Sequence, residues 1–249
     1  MKHDFIDKHC HIDSPVHRLD PRMKLIAAFT AIVIIVTEPL NGGIIHFLPY
    51  TGLVFAIIAL SRLPLSYIAK RVLVVSPFII MAALFFPLSV YISQPEQWRA
   101  VSAGANEAGI TILMKGFLAV LLLLVLSSTE RFHRLLLAMR KLRIPTIITT
   151  ISALLYRYIF LLADETLKTS RARESRTPGS LKTGRLTVYG NQVAVIFLRS
   201  WERSQIIYKS MLSRGFSGEF PDMQRLELKA ADIVLPVLFI ALLLAVRLT

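Results

Sequence analysis

Apolar residues in this chain come in blocks. Four apolar runs occupy its first half, Leu25–Leu40, Gly43–Leu60, Val72–Tyr91 and Ala108–Leu126, and a fifth, Ala231–Val246, lies at its end. A helix of about 20 residues, rising about 1.5 Å per residue, crosses the roughly 30 Å of hydrocarbon in a bilayer. The pattern therefore predicts membrane-spanning helices, because lipid offers backbone polar groups no partner outside their own segment. Pro39-Leu40-Asn41-Gly42-Gly43 predicts a tight turn between the first two spans. The first run is short and the fourth carries Lys115, which blurs the limits of both.

Between the fourth and fifth runs the pattern changes. Ser127-Ser128-Thr129-Glu130 reads as a capping box opening a helix to Leu142. Phe132, Leu135, Leu136, Met139 and Leu142 recur there at helical spacing among Arg131, Arg134, Arg140 and Lys141, the signature of an interfacial helix. Pro145 stops it. A second helix is expected over Thr146–Arg176, apolar at first and charged from Asp164 onward.

Thr177–Asn191 reads as a linker. Within it, Gly179 to Arg185 imitates a phosphate loop but has arginine for the lysine, Leu186 for the hydroxyl residue and no preceding strand, so a nucleotide site is rejected. A third helix is expected over Gln192–Arg214, with Ala194, Leu198, Trp201, Tyr208 and Leu212 on one stripe and Gly215 where a left-handed residue ends a helix. The fold class expected is all-α: a polytopic membrane protein of about five transmembrane helices plus three cytoplasmic or interfacial helices. Its segments would be 1–126, 127–229 and 230–249.

Charge refines this reading. The chain has 249 residues, is 54% hydrophobic and carries a net charge of +13. That charge could mean a nucleic-acid partner, but its distribution argues against one. From the N-terminus onward, and leaving out the apolar portion Ile144–Leu162, the segments outside the runs hold five, none, three, one, seventeen and one Lys or Arg. This alternation is the positive-inside pattern. It predicts a multi-pass plasma-membrane protein with the N-terminus and the basic region in the cytoplasm and the C-terminus outside. Ile144–Leu162 is apolar enough for a sixth span. Crossing there would leave twelve basic residues outside and put Arg157 in hydrocarbon. That segment is therefore expected to lie on or just under the membrane. Met1–Pro21 lacks the apolar core of a secretory signal, so the first span is expected to drive insertion. Cys10 has no partner for an intrachain disulfide.

Candidate chemistry is sparse. His9-Cys10-His11, with His3 and His17 nearby, is a conceivable soft-metal cluster, but a polar tail with chance histidines is the better reading, and no metal site is expected. Glu38 is taken as the only acid near an apolar run, which weighs against a stand-alone secondary transporter. No nucleophile–base pair stands out, so an enzyme is not expected. The informative repeat is Ser175-Arg176-Thr177 and Ser213-Arg214-Gly215, 38 residues apart, each ending an expected helix. Helix-dipole complementarity accounts for a cation at a C-terminus, at about 0.3–1 kcal/mol. It does not account for the shared Ser-Arg context. A guanidinium suits bidentate pairing with a carboxylate, which points to docking.

Ser14-Pro15-Val16-His17-Arg18-Leu19-Asp20-Pro21-Arg22-Met23-Lys24-Leu25, Leu198-Arg199-Ser200-Trp201-Glu202-Arg203 and Ser210-Met211-Leu212-Ser213-Arg214-Gly215-Phe216 carry a resemblance. Over nearly its whole length the chain resembles the transmembrane T component of energy-coupling factor (ECF) transporters, in the cobalt/nickel CbiQ-type branch. In that family two Ala-Arg-Gly-like signatures cap coupling helices, and their arginines dock on two ATP-binding-cassette ATPases. The resemblance thus implies an ATPase-docking set of Ser175, Arg176, Ser213, Arg214 and Gly215, with serines for the alanines and Thr177 for the first glycine. It also implies two cytoplasmic ATPase partners and a substrate-binding membrane subunit. ATP and magnesium would be bound by those partners and no cofactor by this chain. The cargo implied is cobalt or nickel, with a vitamin-specific T component as the alternative.

Overall fold

The computed structural model describes residues 14–39, 43–93, 98–176, 185–218, 220 and 230–248. Every regular element among them is an α-helix: α1 Pro15–Arg18, α2 Pro21–Thr37, α3 Gly43–Ser61, α4 Leu65–Ser93, α5 Trp98–Thr129, α6 Phe132–Lys141, α7 Thr146–Arg176, α8 Arg185–Ser213 and α9 Ala230–Leu248. The predicted all-α class holds. The chain forms two compact units, one of residues 139–224 and one of residues 2–138 with 225–249.

The larger unit is a bundle. Its entry is built from two N-caps followed by proline. Ser14 accepts from the His17 amide and precedes Pro15, while Asp20 accepts from the Arg22 amide at 2.8 Å and precedes Pro21. Proline at the first helical position sacrifices no hydrogen bond, and its φ is already helical. The core joins Ala31, Ile34 and Ile35 of α2, Phe47, Tyr50, Val54 and Ile58 of α3, Leu118, Leu122 and Val125 of α5 and Leu243 of α9. These positions recur at three- and four-residue intervals, one face per helix.

Helix α4 packs along α5, and two glycines set their distance. A Cβ on Gly109 would meet the Ala83 carbonyl oxygen at 2.8 Å, and one on Gly116 would meet the Ile79 Cγ2 at 2.8 Å. Small residues are how membrane helices approach closely. The other face of α4 leaves Leu73, Val74, Phe78, Leu84 and Phe85 largely exposed. In water such a surface would be a liability; in a bilayer it is the surface that meets lipid.

The helices outrun the apolar runs. Helix α4 begins at Leu65, so Lys70 and Arg71, counted above as loop residues, are helical, with the Arg71 guanidinium 4.9 Å from the centre of the Tyr67 ring. Helix α5 begins at Trp98, ten residues before its apolar run. Apolarity marks the depth of hydrocarbon, not the extent of helix. Leu65–Ile92, Gly104–Thr129 and Thr146–Arg176 are each long and apolar enough to cross a membrane, with Phe47–Ser61 a shorter apolar helix. Length and composition alone would therefore let α7 cross.

The expected capping box is corrected. Ser127 to Thr129 belong to the last turns of α5, where the Thr129 hydroxyl donates to the Val125 carbonyl at 2.8 Å. Helix α6 starts after Arg131, whose carbonyl accepts from the Arg134 and Leu135 amides. Glu130 turns inward to Lys24.

Candidate functional site

The smaller unit carries the matched arginines. Helix α7 has the bounds read from sequence. Helix α8 begins at Arg185, seven residues earlier than expected, so the supposed linker contributes residues 185–191 to a helix. Gly190 lowers helix propensity there, but a weak local preference yields to the long helix that follows.

The two helices form an antiparallel pair. The Arg173 guanidinium of α7 lies 4.5 Å from the centre of the Tyr189 ring near the start of α8. Further along, Arg199 Nη1 pairs with Glu165 Oε1 at 2.8 Å. Beyond that, Leu154 and Tyr158 of α7 and Tyr208 and Met211 of α8 line a common cleft of about 820 Å³. Residue numbers fall on one helix as they rise on the other. Arg176 and Arg214 therefore stand at opposite ends of one hairpin. At about 1.5 Å per residue the 29 residues of α8 separate those ends by about 43 Å. One pocket on one partner cannot hold both.

The Arg214 end has a defined cap. The Gly215 amide donates to the Leu212 carbonyl and the Phe216 amide to the Met211 carbonyl, both at 3.0 Å. This is a Schellman motif, and Gly215 adopts φ +79°. Only glycine takes that conformation without a Cβ penalty. The chain beyond it is held as well. Gly218 O accepts from the Thr150 hydroxyl at 3.4 Å, Phe220 O accepts from Arg140 at 2.7 Å, and the Phe216 and Phe220 rings lie 5.2 Å apart. Arg214 is exposed on a fixed helix end.

At the other end Arg176 is the last helical residue and is also exposed. Its cap, Thr177 included, lies outside the described residues. The serines behave alike: Ser175 Oγ donates to the Ala172 carbonyl and Ser213 Oγ to the Ser210 carbonyl, each at 2.9 Å. A serine that bonds its own helix in this way leaves the following arginine directed by the backbone alone. Among the described residues neither arginine joins an ion pair.

The stripe predicted on the third helix meets α7 only in part. Tyr208 lines the cleft with Ser200, Ser204, Ile207 and Met211, whereas Leu198, Trp201 and Leu212 lie off it and stay about half exposed. A helix shows its apolar face in sequence, but not what covers it.

Two polar clusters in the bundle were missed in sequence. At one end of α2, Lys24 pairs with Glu130, and Arg134 approaches the second Glu130 oxygen at 3.5 Å. Burial pushes the Glu130 carboxyl above the ordinary carboxylate range, against the opposing pull of Lys24. At the other end, Lys115 donates to the Val36 and Glu38 carbonyls, Tyr50 donates to Glu38 at 2.6 Å, and Arg247 donates to Thr37 at 3.1 Å. The lysine inside the fourth apolar run thus caps α2. Asp232, buried in the first turn of α9, corrects the reading of Glu38 as the only acid near a run. The signal for these pairs was an ionisable residue at the edge of an apolar run or inside one, a position that usually has a partner. Its partner lay too far away in sequence to be identified.

His9, Cys10 and His11 lie outside the described residues. Among the described residues no three His, Cys, Asp or Glu side chains group so as to hold a metal ion.

The chain is similar to known proteins over most of its length. The sequence profile of the cobalt transport protein family CbiQ matches residues 13–225. An uncharacterized protein of Methanocaldococcus jannaschii is 26% identical over 92% of this chain and 80% of its own. The energy-coupling factor transporter transmembrane protein EcfT of Limosilactobacillus fermentum is 27% identical over 86% of this chain and 83% of its own. A putative fused cobalt transport protein, CbiMQ, of Methanocorpusculum labreanum is 25% identical over 87% of this chain and 38% of its greater length. With its helical bundle, its apolar helices able to span a membrane and a family match over most of its residues, this multi-pass membrane protein belongs to the CbiQ cobalt transport protein family, as a transmembrane T component of an energy-coupling factor transporter.

Proposed function

We propose that this chain is the coupling subunit of a metal-ion importer. Two ATP-binding-cassette ATPases dock on its cytoplasmic face, one at Arg176 and one at Arg214, and a substrate-binding membrane subunit packs beside it. The observation that carries this reading is the pair of exposed arginines at opposite ends of one antiparallel helix pair. Two sites about 43 Å apart suit two partner subunits better than one. Each guanidinium would meet an acidic groove, where planar two-pronged pairing gives direction as well as affinity. Closure of the ATPases around ATP and magnesium moves the hairpin that both grip, and α6 and the segment leading to α9 pass that movement to the bundle. The exposed apolar residues of α8, Leu198 and Trp201 among them, offer a surface for the substrate-binding subunit or for lipid. This chain performs no bond-breaking step.

The charge distribution favours a cytoplasmic N-terminus and hairpin with the C-terminus outside. Under that rule α7 lies along the membrane surface, although its composition would allow it to cross. Cobalt or nickel is the cargo best supported, because the family and the fused Methanocorpusculum relative are both named for cobalt transport. The EcfT relatives carry no substrate in their names, and a vitamin importer is the competing reading.

Arg214→Glu tests the docking. The variant is expected to insert normally while losing capture of the ATPase subunits by at least about tenfold, since breaking a buried charge pair costs about 2–5 kcal/mol. Full capture and full transport in that variant would refute the reading. Uptake of labelled cobalt and nickel by cells making the whole complex, with a vitamin control, decides the cargo.

A further inference from the structure

The bundle holds a buried ion pair that arginine docking does not require. Lys24 lies in the first turn of α2, and Glu130 lies between α5 and α6, 106 positions away. Their side chains are 6% and 0% exposed. The Lys24 ammonium also donates to the His17 carbonyl at 3.3 Å, and Asp20 caps the same helix. From the other side, Arg134 in the first turn of α6 reaches the second Glu130 oxygen at 3.5 Å. One carboxylate is thus held by α2 through Lys24 and by α6 through Arg134.

A buried ion pair is a weak source of stability. Desolvation offsets most of the attraction, and an apolar pair of similar volume is often as stable. What such a pair supplies is a fixed geometry, because the charges tolerate only one arrangement in a dry site. Its location gives that geometry a use. Helix α5 ends at Thr129 and α6 starts at Phe132, so the joint between them consists of Glu130 and Arg131. Helix α6 leads directly into the unit of residues 139–224 that carries Arg176 and Arg214. The only other covalent link from that unit to the bundle is the segment before α9.

We propose that Lys24 and Glu130 are positioning residues for energy coupling, fixing the direction in which α6 leaves α5 so that movement of the arginine hairpin reaches the bundle instead of being absorbed at a slack joint. This rests on the ATPase-docking reading above. The pair is buried in the bundle and includes neither docking arginine. Its loss therefore separates ATP hydrolysis from transport, whereas loss of Arg214 weakens capture.

The test uses the complete complex, with ATPase and substrate-binding subunits, reconstituted in liposomes and supplied with radioactive cobalt(II). Wild type, Lys24→Met/Glu130→Met and Lys24→Arg are compared for membrane accumulation, ATPase capture and cobalt imported per ATP hydrolysed. The double variant replaces the ions with apolar side chains of similar length, so it restores packing without direction. It is expected to accumulate and to capture ATPases like wild type, yet to import at least about fivefold less cobalt per ATP. Lys24→Arg keeps a cation on Glu130 and is expected to stay within about twofold of wild type. A double variant that couples like wild type would overturn the proposal. So would one that fails to accumulate, since the pair would then be a stability element, and so would an arginine that fails to preserve coupling. A wild-type complex that captures no ATPase or imports no cobalt would instead count against the functional reading on which the proposal rests.

Discussion

Replacing Gly109 by alanine should loosen the α4–α5 contact, and the structure sets the scale. The added Cβ would lie 2.8 Å from the Ala83 carbonyl oxygen, where ordinary contact begins near 3.4 Å, and it would also touch the Pro87 ring. Neither obstacle is a flexible side-chain tip, so the helices themselves must separate by about half an ångström, a form of overpacking that costs about 1–3 kcal/mol. Gly104 on the same helix has nothing within 4 Å of its would-be Cβ. There alanine should gain up to about 1 kcal/mol, because glycine in a helix costs backbone entropy. Gly116 is intermediate, since the atom it would meet is a methyl of Ile79, which can repack. The expected stability order is Gly104→Ala, then Gly116→Ala, then Gly109→Ala. Thermal unfolding of the purified chain in detergent measures it. A difference of about 2 kcal/mol between the extremes corresponds to at least about 4 °C in a chain of this size. If Gly109→Ala unfolds at the same temperature as Gly104→Ala, α4 and α5 do not meet at these glycines and the packing argument fails.

Gly215→Ala should strain the left-handed cap by about 1 kcal/mol and weaken ATPase capture several-fold with the Arg214 charge intact, while Gly215→Asn should lose less; pull-down of the ATPase subunits compares them. Equal capture by all three would mean that the cap does not orient Arg214. Lys115→Met should cost about 1–3 kcal/mol, seen as a lower unfolding temperature, because the Val36 and Glu38 carbonyls lose their donor. Arg199→Ala should change stability by less than about 1 kcal/mol in the same assay, since its pair with Glu165 is largely solvent-facing. In a Cys10→Ser background, Asn41→Cys should label from outside the cell and Leu181→Cys only from inside; reversed labelling would overturn the proposed orientation.

How much was legible in sequence varied with the range of the interaction. The bounds of α7 were readable because Pro145 fixes one end and polar, glycine-containing sequence marks the other. The left-handed cap at Gly215 was readable because a Schellman end needs only a few consecutive residues. The start of α6 was misread because Ser127 to Glu130 is a local signature that tertiary structure outbids: α5 runs on through the serines, and Glu130 finds a lysine instead of its own helix end. The α8 stripe was correctly seen as apolar, but its exposure was not foreseeable, since what covers a face is a property of the assembly.

By itself the sequence determined that the protein is helical and membrane-embedded, that its basic region lies between two groups of apolar runs, and that two arginines share one local context. These follow from composition, period and nearest neighbours, which act within a few turns of helix. Only the tertiary structure decided that Arg176 and Arg214 point from opposite ends of one antiparallel pair, that Gly109 and Gly116 let α4 close on α5, and that Lys24 meets Glu130 across 106 residues. Those facts depend on which distant side chains share a dry site, and burial makes such pairings decisive because an ion left there alone is too costly to keep.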